Sequence, residues 1–236
     1  MRLKSVIYAL AFVLTVGAAG CQNAGSKGDI KLATKIDSVS YALGVLIGEN
    51  NNQQMKSAPG VDSLDKDIMI AAFQTAFKGD SVKIKPEAAN AIIQKFFTEV
   101  SAAEGSKNQK AGEDFLAANK AKQGVVTLPS GLQYEIIKEG TGPKPTVEDQ
   151  VKCHYHGTTI DGKVFDSSVD RGEPATFPVG QVIPGWTEAL QLMPVGSKWK
   201  LYIPSALAYG ERGAGNDIKP NSALIFEVEL LEIVKK

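Results

Sequence analysis

Apolar residues recur at helical spacing through the first half of the chain and at alternate positions through the second. Val39, Leu43, Leu46 and Ile47 fall on one face of a helix that Asp37 or Ser38 can cap. Gly44 and Gly48, four apart, either admit a second backbone at close range or simply weaken that helix. After a Gly/Pro/Asp-rich turn at 58–62, Ile68 or Met69 joins Ala72, Phe73, Ala76 and Phe77 in a second stripe, closed by Gly79. Pro86 suits the first turn of a third helix, whose stripe runs through Ile92, Ile93, Phe96, Phe97 and Val100. The stripe fades, and Phe115 and Leu116 resume it before Gly124. Unbroken from 86 to 122, this helix would span about 55 Å at 1.5 Å per residue. Gly105 and Gly112 leave room for a bend or a break.

From Thr127 the period shortens. Leu132, Tyr134 and Ile136 alternate, as do Val151, Cys153 and Tyr155, then Leu201 and Ile203; Leu224, Phe226, Val228 and Leu230 make a closing strand. Trp186, Leu190 and Met193 return to helical spacing, which places a short helix between 185 and 193. The expected class is α+β: a helical block at 35–123, then strands around one short helix at 124–236.

The 236 residues allow two modest domains, each with its own core. Lysine plus arginine equals aspartate plus glutamate at 26 each, so there is no basic footprint for nucleic acid and no polybasic patch for a membrane. At the N-terminus, Arg2 and Lys4 precede an apolar run from Val6 to Val16, too short for an ordinary membrane span, which predicts an export signal over 1–20. Ala18-Ala19-Gly20-Cys21 resembles a bacterial lipobox, although a leucine usually opens that motif. Ordinary signal cleavage would leave an unpaired Cys21 thiol on an exported terminus; lipid attachment at Cys21 removes that difficulty. Residues 21–34 are polar and contain glycine, as a flexible tether would. In the strand at 151–155, alternation sets Cys153 and Tyr155 against His154 and His156 on the opposite face. No Cys–His nucleophilic pair is expected, and no third ligand joins the histidines, so neither a metal nor a cofactor is expected.

Three strings carry the chemistry: Gly162-Lys163-Val164-Phe165-Asp166-Ser167-Ser168, Val182-Ile183-Pro184-Gly185-Trp186 and Leu207-Ala208-Tyr209-Gly210. With Tyr155 and Phe226 they bring five aromatic groups and one carboxylate from separate segments. Aromatics alone more often fill a core; the order and spacing of these strings argue otherwise. That order resembles the FKBP-type (macrolide-binding) peptidyl-prolyl cis-trans isomerases. The resemblance implies a half-open antiparallel sheet wrapped around a short helix, with a proline pocket between them. Such an activity suits apolar walls. Rotating an amide costs about 18–20 kcal/mol, no bond is broken, and a water-excluding site favours the less charge-separated twisted state over the planar one.

By the resemblance, Trp186 floors the pocket. Tyr155, Phe165 and Phe226 form aromatic walls, and Val182 and Ile183 the aliphatic side. The Ile183 backbone N–H and the Tyr209 hydroxyl donate to bound carbonyls. Asp166 is the pocket carboxylate with Arg171 as its partner, and Ile218 belongs to the overhanging loop. Ala175 stands where an aromatic is common, and Ala214 and Asp217 replace bulkier loop residues, which opens the rim. The helical stripes, with Gly112-Glu113-Asp114-Phe115-Leu116, resemble the macrophage infectivity potentiator subfamily. That implies a homodimer interlocked through the first helices, with the long helix holding each catalytic domain away in a V. The implied partners are proline-containing unfolded or partly folded proteins, with macrolide immunosuppressants as inhibitors. Membrane contact would be through the lipid anchor only, in the bacterial envelope at the outer membrane. The alternative is a non-catalytic chaperone that holds clients in the same pocket and an interhelical cleft; a surface adhesin would rest on family association alone.

Overall fold

The computed structural model describes residues 30–234 apart from Ser57 and Pro59. The expected export signal, Cys21 and most of the tether lie outside the described residues. The described residues divide into two compact units that part between Asn50 and Asn51.

Helix α1 covers Lys35–Met55. Thr34 opens it, in place of Asp37 or Ser38. The Asp37 N–H donates to Thr34 Oγ1 at 3.1 Å and the Thr34 N–H donates to Asp37 Oδ2 at 2.8 Å, a reciprocal capping box. Asp37 is therefore the third residue inside the helix, where a carboxylate also favours the positive end of the dipole. Its Val39, Leu43, Leu46 and Ile47 are all exposed, and a methyl added at Gly44 or Gly48 would meet no atom within 4 Å.

In the second unit, α2 covers Lys66–Phe77, capped by Asp65, whose carboxylate accepts the N–H groups of Asp67 and Ile68. Helix α3 runs unbroken from Pro86 to Asn119 through both glycines. A glycine costs a helix interior about 1 kcal/mol, yet Gly105, Gly112 and Asn119 are the buried residues of α3. The reason is close packing of α3 on the segment from Pro220 to Ala223. A Cβ at Gly112 would stand 3.0 Å from Ala223 Cβ, and one at Gly105 would stand 3.2 Å from Asn221 Nδ2. Farther along, the Phe115 and Tyr202 rings lie 6.0 Å apart. At the helix end, Gln133 Nε2 donates to the Leu116 carbonyl and Asn119 Nδ2 donates to Gln133 Oε1, both at 2.9 Å, which partners one of the last-turn carbonyls.

Strands β1 (Val125–Thr127), β2 (Gln133–Lys138), β3 (Gln150–Thr159), β4 (Val164–Ser167), β5 (Ala175–Pro178), β6 (Lys198–Ile203) and β7 (Leu224–Val234) form one antiparallel sheet. Its order is β1-β2-β6-β7-β3-β4, and β5 pairs with the first half of β3. Helix α4, Pro184–Leu190, fills the concave side. The α+β class expected from the pattern is the one found. Alternate residues of the long strands turn toward α4: Val151, Cys153 and Tyr155 from β3, Trp199, Leu201 and Ile203 from β6, and Leu224, Phe226, Val228 and Leu230 from β7. Trp186, Ala189 and Leu190 of α4 meet them. Gly185 lets the helix sit close, since a Cβ there would fall 2.6 Å from Ile203 Cγ2.

Candidate active site: an aromatic basin with a braced carboxylate

Sheet register assembles the site. Leu201, Phe226, Gly157 and Asp166 lie opposite one another on β6, β7, β3 and β4. Gly157 is the empty place in this row: a Cβ would come within 2.7 Å of both Phe165 and Phe226. The space it leaves lets those two rings meet edge to face at 5.4 Å. Trp186, almost wholly buried, takes Phe226 at 5.3 Å, Tyr155 at 5.4 Å and Phe177 at 5.6 Å, each near perpendicular. Such edge-to-face pairs add about 0.5–1.5 kcal/mol each beyond area burial, so the rings brace one another.

One wall is polar. The Tyr155 hydroxyl donates to Asp166 Oδ2 at 2.6 Å, Arg171 donates to the Tyr155 oxygen at 2.7 Å, and Arg171 also pairs with Asp166 Oδ1. The Arg171 guanidinium stacks 5.6 Å from the Tyr155 ring centre. Burial pushes the Asp166 carboxyl up, but the hydrogen bonds from Tyr155 and Arg171 and the guanidinium charge outweigh it and hold Asp166 below the usual carboxylate range. Burial, then the bond to Asp166, raises Tyr155, which stays a donor. Burial also raises Tyr209, and the Asp166 charge adds to it.

Two donors carry no hydrogen bond among the described residues: the Ile183 N–H, where the chain enters α4 in an extended conformation, and the Tyr209 hydroxyl. Val182 and Ile183 pack against the core on this side. Ile218 is buried under the loop it belongs to, bonded both ways to Ala214 at 2.8 and 3.1 Å. Asp217, smaller than the loop residue expected there, pairs with Lys163 Nζ at 2.7 Å and so ties the loop to the β3–β4 turn.

Sequence reading missed two members. Phe177 touches both Tyr155 and Trp186 and supplies a ring two residues from Ala175, on the same face of β5. The alternation Ala175, Phe177 was the available signal. Gly157 had none, because its role is the room it leaves. Cys153 is wholly enclosed, and burial pushes its thiol up to about 12. His154 and His156 face the other way, against the Ser168 and Ser167 hydroxyls at 3.1 and 3.0 Å. No group of His, Cys, Asp and Glu among the described residues could hold a metal ion.

A sheet wrapped on one side around a short helix, with a cluster of perpendicular rings and one braced carboxylate, defines an α+β domain with an aromatic-rich core. Residues 142–231 match the family model for FKBP-type peptidyl-prolyl cis-trans isomerase, and 36–136 match the domain amino terminal to it. An outer membrane protein MIP of Legionella longbeachae is 42% identical over 242 residues, covering 100% of this chain and 99% of that one. The peptidyl-prolyl isomerase FkpA of Aeromonas hydrophila is 48% identical over 204 residues, 83% of this chain and 75% of that one. The crystal structure of FkpA from Escherichia coli superposes with a TM-score of 0.62 at 36% identity, over 85% of this chain and 97% of that one. The chain therefore belongs to the FKBP-type peptidyl-prolyl cis-trans isomerases, in the branch that carries the amino-terminal helical domain.

Proposed function

We propose that the aromatic basin binds the proline of X–Pro segments in exported proteins and lowers the barrier to rotation about the preceding amide. What supports this reading is the ring cluster on Trp186, the Tyr155–Asp166–Arg171 triad beside it, and two donors, the Ile183 N–H and the Tyr209 hydroxyl, without partners among the described residues. Proline is apolar and fits the rings. The Ile183 N–H and Tyr209 hydroxyl orient the flanking carbonyls. The walls hold the rotating amide away from water, where its twisted form competes best with the planar one. Asp166, held ionised, sets the field at the rotating carbonyl. No proton moves, so no acid–base pair is needed.

The helical region acts as a dimer interface through which a second copy of this chain covers the exposed apolar stripes. Ile36 and Phe77 are 73% and 76% exposed in the single chain, which supports a partner surface. Cys21 carries the lipid, and the protein works in the bacterial envelope, in keeping with the outer-membrane designation of the Legionella relative. Macrolide immunosuppressants enter the basin as inhibitors across a rim kept low by Ala175 and Ala214.

The test is a protease-coupled assay on proline tetrapeptides. Asp166→Ala and Tyr209→Phe are expected to lower kcat/KM about tenfold or more with circular dichroism unchanged. Full activity in Asp166→Ala would remove that carboxylate from the site. A second reading, client holding without catalysis, draws on the exposed helical side chains. It would be favoured if suppression of aggregation survived both substitutions undiminished while refolding of a proline-limited protein was no slower.

A further inference from the structure

The geometry points to Asn108 of α3 as a positioning residue for the active-site loop, so that the long helix is part of the pocket's framework as well as a spacer. This inference rests on the isomerase reading above. Asn108 Nδ2 donates to the Pro220 carbonyl at 2.9 Å, a contact across 112 residues of chain. The next residue, Asn221, is held at φ 55 and sends its N–H to the Gly210 carbonyl at 2.8 Å. Gly210 directly follows Tyr209. Two hydrogen bonds thus connect α3, through Pro220 and Asn221, to Gly210, the residue that follows Tyr209.

The rest of that helix face agrees. Gly105, Asn108 and Gly112 fall at i, i+3 and i+7, one stripe of α3. The stripe seats Pro220, Asn221 and Ala223, and a Cβ at either glycine would press on that segment at 3.2 Å or less. The opposite flank of the loop is tied by the Lys163–Asp217 pair. A cavity of about 340 Å³ separates the two attachments, lined by Asn108, Ala111, Asp161, Lys163 and Asp217 among others. Held at both flanks, the loop presents Tyr209 and Ile218 in place before peptide arrives. Fixing it in advance lowers the ordering cost of binding, so Asn108 acts on affinity for the peptide rather than on rotation of the bound amide.

The experiment uses the full chain and proline tetrapeptides at several concentrations. Asn108→Asp keeps the shape but puts a carboxylate, unable to donate, against the Pro220 carbonyl; Asn108→Ala removes the donor. Both are expected to raise KM about three- to tenfold, as loss of one hydrogen bond would, with kcat within a factor of two. Gly112→Ala, a fold-sparing alternative in a helix, is expected to raise KM as well by pushing on Ala223. In a Tyr209→Phe background the Asn108 changes should add little, because both act through one hydroxyl. Unchanged KM in Asn108→Asp, or effects of Asn108→Asp and Tyr209→Phe that simply multiply, would overturn the inference. An unsubstituted chain that does not accelerate tetrapeptides would instead overturn the isomerase reading itself.

Discussion

The two halves of this protein treat apolar side chains in opposite ways. In the sheet domain, Leu132, Leu190, Leu201 and Leu230 are wholly enclosed by their own chain. In the helical half, Leu43, Leu46, Ile68, Phe73 and Phe77 are as apolar and lie open. The sheet domain closes its own core. Among the described residues, α1 and α2 bury no side chain within a single chain, and their stability is expected to depend on what covers them. On the dimer proposal, one half is self-sufficient and the other is completed by a second copy.

The largest effect should come from pressing on that contrast directly. Leu201→Ala is expected to destabilise the sheet domain by about 3 kcal/mol, the usual cost of a cavity at an enclosed leucine. Leu46→Ala should change the stability of dilute single chains by less than about 0.5 kcal/mol while weakening association. Urea melts and sedimentation of both variants check it, and equal destabilisation would erase the contrast.

A chain beginning at Pro86 keeps α3 and its contacts with the loop but loses α1 and α2. It should be monomeric by light scattering and hold tetrapeptide turnover within about twofold. Its effect on proline-limited refolding should fall about tenfold, because a client can no longer engage pocket and helices together. Equal refolding rates would leave the helices as a spacer only. Within the basin, Phe177→Ala is expected to lower kcat/KM about fivefold by removing one edge-to-face brace from Trp186 and Tyr155. No change would mean that Ala175 leaves the wall truly open.

The smallest expected effect is that of pH. Asp166 titrates below its unfolded value, so its contribution is complete above the ordinary carboxylate range near about pH 4 and fades only as pH falls through the lowered value. Tyr155 titrates above its unfolded value, so its contribution holds below about pH 10 and fades as pH rises through the raised one. Turnover should therefore vary less than about twofold between pH 6 and 8. A bell-shaped profile in that window would require an acid–base pair absent from the basin as described.

Much of the fold could be read from the pattern, because alternation on β3, β6 and β7 and helical spacing on α4 each follow directly from which face is buried. The reading failed where burial was not apolar. Gln133 and Tyr202 sit on the outer face of the sheet yet are buried, because α3 lies over them. Helix α3 itself buries two glycines and an asparagine, which no hydrophobic stripe reveals, while Ile92 and Ile93 of its apparent core stripe are exposed. Gly105 and Gly112 were legible as places where a helix could fail. They are places where it comes close to something else. The same blindness applies to Gly157 in the basin, whose role is the space it leaves. Side chains that converge declare themselves in a sequence more readily than the gaps that let them converge.

The enclosed Cys153 has a consequence for the company this protein keeps. A thiol whose titration is pushed up to about 12 is almost entirely protonated at neutral pH, and only a thiolate attacks a disulfide. Under the proposed envelope role, the protein would meet half-formed client disulfides and small oxidants. Cys153 can neither be captured by them nor scramble them, since it lies at 0% exposure beneath the basin, neighbour to Tyr155 yet sealed from whatever Tyr155 touches. The sheet domain therefore holds its one cysteine protonated and enclosed, so the proposed action on a client's prolines would leave that client's cysteines to pair on their own terms.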